Sequence, residues 1–347
     1  MRKFIAAAAI LAGTVFTAYP CSRVVMQADS LKDKSVMVGR TLDWRTPIPT
    51  NIYVYPRGVD RVSMPTGPRL EWTSKYGSVL AVSYDGGTTE GMNEAGLVMN
   101  GLFCKGSVYP STESTPAGTP VMSMAVLVNY FLDNFSNVDE VQNWLENNQF
   151  AINGATFDGG TVSLLHFALT DRSGVTLVME FVGGKLTMYK GYDLTVLTND
   201  PTLNDMQAIN NYWKQVGGTN MLPGTVRSAD RFVRGSFFIN HVPKNVDSKR
   251  ALAELASIMN NVSVPMGYEL PGEPNVSSTQ WRSISDLYGL KYHFKFADSE
   301  NGFYIDLNEL LLKPGAPILK LDTTNHDNYY GNVNKYLKKS EGFKPMY

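Results

Sequence analysis

Residues 16–25 read FTAYPCSRVV, and the cysteine in that stretch, Cys21, decides how the rest of the chain is read. Before it stand a basic pair, Arg2 and Lys3, and the apolar run FIAAAAILAGTVF of thirteen residues. That run is too short to span a bilayer comfortably and has the make-up of an export signal. Residues 1–20 therefore read as a removed pre-peptide and residues 21–347 as a single mature domain, periplasmic or secreted. Ala18 is small enough for a cleavage site, whereas Pro20 directly before Cys21 is an awkward cutting point. Export cleavage and loss of Tyr19 and Pro20 thus read as two cuts. A lipidated cysteine would want small residues where Tyr19 and Pro20 stand.

The 347 residues are 43% hydrophobic and 18% charged, an ordinary globular composition. Net charge is −1, or −3 once Arg2 and Lys3 are removed, and no basic stripe is present. Nucleic acid is excluded as an expected partner. No later stretch is apolar for eighteen residues, so no stable membrane insertion is expected. Two cysteines, Cys21 and Cys104, do not make a disulfide scaffold, although export would permit a bridge. Cys104 reads as a small buried hydrophobe.

Working outward from Cys21, GRTLDW (39–44) and NIYVYPRG (51–58) read as strands. YGSVLAVSY (76–84) and GLVMNGLF (96–103) read as two more, flanking DGGTTEGMNEAG as a Gly-rich connection. TPVMSMAVLVNYFLDNF (119–135) and NVDEVQNWLENN (137–148) read as helices, the second with Val138, Val141 and Leu145 on one face and Asn137 capping toward Glu140. SLLHFALTDRSGVTLVMEFVGGKLTMYKG (163–191) alternates as a three-stranded antiparallel meander. Two helices follow, in SADRFVRGSFFINHV and SKRALAELASIMNNV, and then strands in WRSISDLYGLKYHFKF and FYIDLNEL. Runs of strands and helices segregated in this way predict an α+β fold with large antiparallel sheets.

The usual catalytic vocabulary is missing. His166, His241, His293 and His326 are isolated, and none has metal-ligand spacing. There is no nucleophile elbow, P-loop or dinucleotide fingerprint. His166, in an apolar strand, reads as a satisfied core residue. Cys21 alone offers chemistry: once it begins the chain it carries a thiol and a free α-amine, and an α-amine with pKa of about 7.7–8.0 can accept a proton at neutral pH. Arg40 would favour the thiolate and Asp43 would orient the amine, although an Arg–Asp pair at this spacing is also an ordinary ion pair.

The segments CSR, GRTLDW, GMNEAGL, VLTNDP and LPGTVRSADRFVR, followed by NVSVP and SSTQWRSISD, together resemble the choloylglycine hydrolase family. That family contains conjugated bile salt hydrolases and penicillin V acylases, which are N-terminal nucleophile hydrolases. The resemblance implies a four-layer αββα sandwich with two antiparallel sheets, no cofactor or metal, and a small-molecule amide substrate with an apolar acyl group. It also implies that Cys21 is the nucleophile, that Arg40 lies close to its thiol and that Asp43 holds the α-amine. Asn199 and the Phe103 backbone N–H would form the oxyanion hole, with Arg231 near the nucleophile and Arg234 structural. Phe103 departs from the asparagine or tyrosine of many members, which leaves a backbone donor but removes a side chain that could read the substrate. Trp44 would supply an aromatic wall, in the manner of the exported Gram-negative branch. Relatives are often tetramers, so a homotetramer is expected as a possibility. Among substrates, conjugated bile salts are favoured by a small margin over penicillin V and N-acyl homoserine lactones. An exported binding protein or lipoprotein that kept the fold without activity would be expected to lose Cys21, Arg40 or Asp43, and all three are present.

Overall fold

The computed structural model describes residues 21–31, 33–157, 160–267, 269 and 277–347. The pre-peptide read at residues 1–20 lies outside them. Strand β1 (Ser22–Asp29) and strand β2 (Lys34–Trp44) pair antiparallel from Ser22 opposite Thr41 to Asp29 opposite Lys34. They lie second and third in a seven-stranded sheet. Val196–Thr198 adds outside β1, and Ser278–Asp286 adds outside β2, followed by Lys291–Phe296, Phe303–Asp306 and Gly331–Asn332. A second sheet of nine strands is antiparallel throughout, and Val98–Phe103 lies near its middle, between Leu165–Thr170 and Gly87–Asn93.

Side-chain alternation stacks the sheets. Val24, Met26 and Met37 pack among residues of the helices α4 (Ser228–His241) and α5 (Ser248–Asn261). Their neighbours Val25, Val36 and Val38 pack against Ile52, Val79 and Val98 of the second sheet. On that second sheet Leu80, Val82 and Met99 face α1 (Leu127–Asn134) and α2 (Val138–Asn147). Both faces of these strands therefore carry buried apolar residues. The result is the expected α+β fold, with helices, sheet, sheet and helices in four layers.

Local expectations are met at α2. The Asn137 side chain accepts from Glu140 N–H at 2.9 Å, and Val138, Val141 and Leu145 are buried. The expected three-stranded meander forms as Leu165–Thr170, Thr176–Val182 and Lys185–Gly191. Three stretches differ. The connection expected at DGGTTEGMNEAG contains a strand, Gly87–Asn93. Its glycine is needed for close strand approach, since a Cβ on Gly91 would stand 2.5 Å from the Val79 carbonyl oxygen. The helix expected from residue 119 begins only at Leu127, because Val121–Ser123 pairs parallel with Ala151–Asn153 and tertiary pairing overrides local propensity. Helix α3 (Leu203–Val216) was not expected; it buries only Leu203 and Met206, too few positions to set a helical period.

Candidate active site

Register brings the site together. Ser22 pairs with Thr198 on one side and with Thr41 on the other. One residue further, Cys21 sits beside Asn199 and beside the end of β2. Its backbone N–H donates to Asn199 Oδ1. The Asn199 amide Nδ2 donates to the Phe103 carbonyl at 2.6 Å. Asp200 secures the same junction by accepting from Lys105 N–H at 2.9 Å and Gly106 N–H at 3.0 Å, so the turn after Phe103 is tied to the strand end that carries Asn199.

Arg40 and Asp43 approach Cys21 from opposite sides of β2, as a three-residue spacing on a strand requires. Arg40 points between the sheets. Its Nη2 lies 3.9 Å from Cys21 Sγ and donates to the Gly101 carbonyl at 2.9 Å. Asp43 points toward the helices, on the face where Gly39 meets Met259 and Leu255 of α5. Its carboxylate accepts from Thr279 Oγ1 at 2.5 Å and from Thr41 Oγ1 at 3.0 Å. Burial pushes the Asp43 carboxyl up to about 6, with the nearby Arg231 acting against that rise. Arg231, from α4, lies 3.9 Å from Asp43 Oδ2 and donates to the Cys21 carbonyl at 2.7 Å and to Asn199 Oδ1 at 3.2 Å. It also bonds Ser22 Oγ. Burial draws its guanidinium down to about 10.

A buried polar layer between the sheets backs Arg40. Glu90 Oε2 lies 3.4 Å from Arg40 Nε, and both side chains are inaccessible to solvent or nearly so. Glu90 also accepts from Tyr292 OH at 2.6 Å, from Asn100 Nδ2 at 3.1 Å and from Ser283 Oγ. Asn100 in turn accepts from Arg23 Nε at 2.8 Å. Arg40 also stacks over Trp281, 4.6 Å from the ring centre. One carboxylate thus faces the two guanidiniums of Arg23 and Arg40 in a dry layer, where an unpaired charge would be costly.

The thiol opens into a pocket with aromatic walls. Trp44 stands 5.3 Å, centre to centre, from both Phe103 and Phe157, and Tyr84 stands 6.1 Å from Phe157. Tyr84 and Asp85 take left-handed backbone angles, φ 55° and 48°, at a hairpin tip. Asn51 Nδ2 at 2.9 Å, Tyr53 OH at 3.0 Å and Lys320 Nζ at 2.7 Å hold the Asp85 carboxylate and so fix that tip.

The structure brings Cys21, Arg40, Asp43, Asn199, Arg231, Phe103 and Trp44 together here. The direct partner of the Cys21 nitrogen is Asn199, not Asp43, whose carboxylate is held by two threonines and Arg231. Arg234 lies apart and ties down a loop, donating to the carbonyls of Pro223 at 2.8 Å and Thr225 at 2.7 Å. Cys104 is buried and unbridged, and so is Cys21. His166 is a satisfied core residue, with Glu180 at 3.1 Å and the Thr198 carbonyl at 2.7 Å on its two ring nitrogens. Sequence reasoning missed Glu90, Thr41, Thr279, Tyr84 and Phe157. Thr41 lies two residues before Asp43 on one strand, which was the available signal; the others arrive from distant segments. Among the described residues no cluster of three or more His, Cys, Asp or Glu could hold a metal, and no helix is long and apolar enough to cross a membrane.

The family model for linear amide C–N hydrolases of the choloylglycine hydrolase family matches residues 21–327. A penicillin V acylase of Pectobacterium atrosepticum is 37% identical over 345 residues, covering 93% of this chain and 91% of its own. The structure of penicillin V acylase from Agrobacterium tumefaciens aligns with a TM-score of 0.84 at 40% identity, covering 94% of this chain and 99% of that one. A bile salt hydrolase/transferase of Clostridium perfringens is 28% identical over 302 residues, covering 80% of this chain and 90% of its own.

Proposed function

The chain belongs to the choloylglycine hydrolase family of linear amide C–N hydrolases, and from that premise we propose that it is an acylase of the penicillin V type, cleaving the amide of a flat aromatic acyl group. The observation that carries this reading is the pocket at Cys21 walled by Trp44, Phe103, Phe157 and Tyr84. Aromatic rings spaced 5–6 Å apart suit a phenoxyacetyl ring, which can pack edge to face or offset against them. The relatives named penicillin V acylase, at 37% and 40% identity, favour the same choice over the bile salt reading, whose relative stands at 28%.

In this reading, export and trimming remove residues 1–20 and leave Cys21 with a free α-amine. The amine takes the thiol proton as sulfur attacks the amide carbonyl, forming the C–S bond. Asn199 Nδ2 and the Phe103 N–H hold the oxyanion; removing one such donor typically costs roughly 2.7–4 kcal/mol of barrier. The ammonium then gives its proton to the leaving nitrogen as the C–N bond breaks. Water, deprotonated by the same amine, attacks the thioester and releases the acid with the thiol restored. Arg40 stabilises the thiolate. Asp43, through Arg231 and Thr41, keeps the first residues of β1 in place, while Asn199 orients the nitrogen.

The test is the mass of the mature N-terminus together with parallel assays on penicillin V, glycocholate, taurocholate and a long-chain acyl homoserine lactone. The expected outcome is a chain starting at Cys21, with the highest kcat/KM on penicillin V and none in Cys21→Ala. A fully active chain that starts at Tyr19 sinks the amine's role, and a preference for glycocholate sinks the substrate assignment.

A further inference from the structure

The pocket wall has one member from a remote part of the chain. Among the described residues, every lining residue lies between Cys21 and Leu165 except Met346. The segment that delivers it is pinned twice. Phe343 is buried, its ring 5.9 Å from Tyr53 and 6.3 Å from Tyr55, and its N–H donates to Tyr55 OH at 3.0 Å. Three residues on, Met346 N–H donates to the Gly86 carbonyl at 2.8 Å. Gly86 follows Tyr84 and Asp85 at the hairpin tip described above. There Met346 lies flat on the backbone, for a Cβ on Gly86 would meet its Cγ at 2.6 Å and its Cε at 2.7 Å.

We propose that Met346 closes one side of the acyl pocket and sets the bulk of acyl group that Cys21 accepts. A thioether chain suits that task, since its unbranched torsions let it fill an irregular gap against aromatic rings. The glycine beneath it is what allows so close a seat. Lys344 and Tyr347 are exposed, and among the described residues after Phe343 it is Met346 that lines the pocket. Acyl selection would thus depend on a short C-terminal strap, separable from the residues that perform the reaction. The inference rests on the acylase reading, which assigns this pocket to the acyl group.

The experiment compares 6-aminopenicillanic amides that share a leaving group and differ only in the acyl part, phenoxyacetyl against 2-naphthyloxyacetyl. Three variants are assayed: Met346→Gly, Met346→Trp and a chain shortened after Phe343. The glycine variant and the shortened chain should raise the naphthyl-to-phenyl ratio of kcat/KM by about tenfold, the scale of one apolar contact in a specificity pocket. Met346→Trp should lower it. Ratios unchanged in Met346→Gly and the shortened chain, with the wild type active, overturn this inference alone and leave the acylase reading intact. A wild-type enzyme that hydrolyses neither amide overturns the acylase reading, and this inference with it. Should Met346→Trp fail to fold, the other two variants still decide.

Discussion

The guanidinium of Arg40 stands 3.9 Å from the sulfur of Cys21 and is held there by a bond to the Gly101 carbonyl, not by the thiol itself. Arg40 is thus fixed before any thiolate forms, and the charge it offers is preorganised. Replacing it with methionine should slow native-state alkylation of Cys21 by iodoacetamide at pH 7. It should also lower kcat/KM on the order of 100-fold, the scale of losing one preorganised stabilising group in a closed site. Arg40→Lys should fall between, because the ammonium keeps the charge but cannot reach both Gly101 and Glu90 with a planar fork. Unchanged alkylation in Arg40→Met would show that the arginine only supports the sheet.

Glu90 carries the opposite charge in that layer. Its removal strands two buried guanidiniums, Arg23 and Arg40. Glu90→Gln should therefore cost about 3–5 kcal/mol in urea unfolding, the range seen when one partner of a buried pair is removed. A positioning role predicts more than lost stability. Under conditions where Glu90→Gln is still folded, Cys21 alkylation at pH 7 should slow as it does in Arg40→Met, and Glu90→Asp should restore part of it. Full-rate alkylation in the glutamine variant would confine Glu90 to holding the sheets together.

The two residues differ in how legible they were. Arg40 sits in GRTLDW, three positions before Asp43 on a stretch that reads as one strand. Glu90 sits in DGGTTEG, where the glycines read as a connection because Gly86, Gly87 and Gly91 mask the period of two. The same contrast runs through the molecule. The meander and α2 were legible because their apolar spacing is local, and the four layers because strands and helices come in segregated runs. The pocket was not. Trp44, Tyr84, Phe157 and Met346 come from segments far apart in the chain, and tertiary contacts, the packing of one sheet on the other and the Met346–Gly86 bond among them, bring them to the same thiol. Asp43 shows a subtler limit. Its place on a strand with Arg40 was readable, but a spacing of three puts the two on opposite faces, so Asp43 meets Thr279 and Arg231 while Asn199 takes the Cys21 nitrogen.

That burial gives Asp43 a pH signature. Its native value of about 6 lies above the 3.8 of an ordinary carboxyl, chiefly through desolvation. Below the ordinary value both native and unfolded chains are protonated and the group contributes no difference. Between the two values the native chain holds a proton that the unfolded chain has lost. Stability therefore falls as pH rises through that window, by about 3 kcal/mol in total for this one group. Asp43→Asn removes this titration. The wild type minus Asp43→Asn difference in unfolding free energy, measured on the full chain, should decline between pH 4 and 6.5 and then level off. A difference that grows with pH would mean that Arg231 and the threonines outweigh burial.

Cys104 supplies the internal control for the chemistry of Cys21. Both thiols are buried and unbridged, but their surroundings differ. Burial pushes the Cys104 thiol up to about 12, and the Asp200 carboxylate, with Oδ1 3.6 Å from the sulfur, adds to the rise. At pH 7.5 its thiolate fraction is negligible. Cys21 instead lies at the pocket, beside a fixed guanidinium. Iodoacetamide on the native enzyme should therefore modify a single site, in the peptide that contains Cys21, and abolish activity as it does so. Cys104 should react only after unfolding, and Cys104→Ser should retain wild-type kcat/KM. Peptide mass mapping after partial modification decides it: native labelling of Cys104 in step with loss of activity would move the essential thiol away from the end of β1.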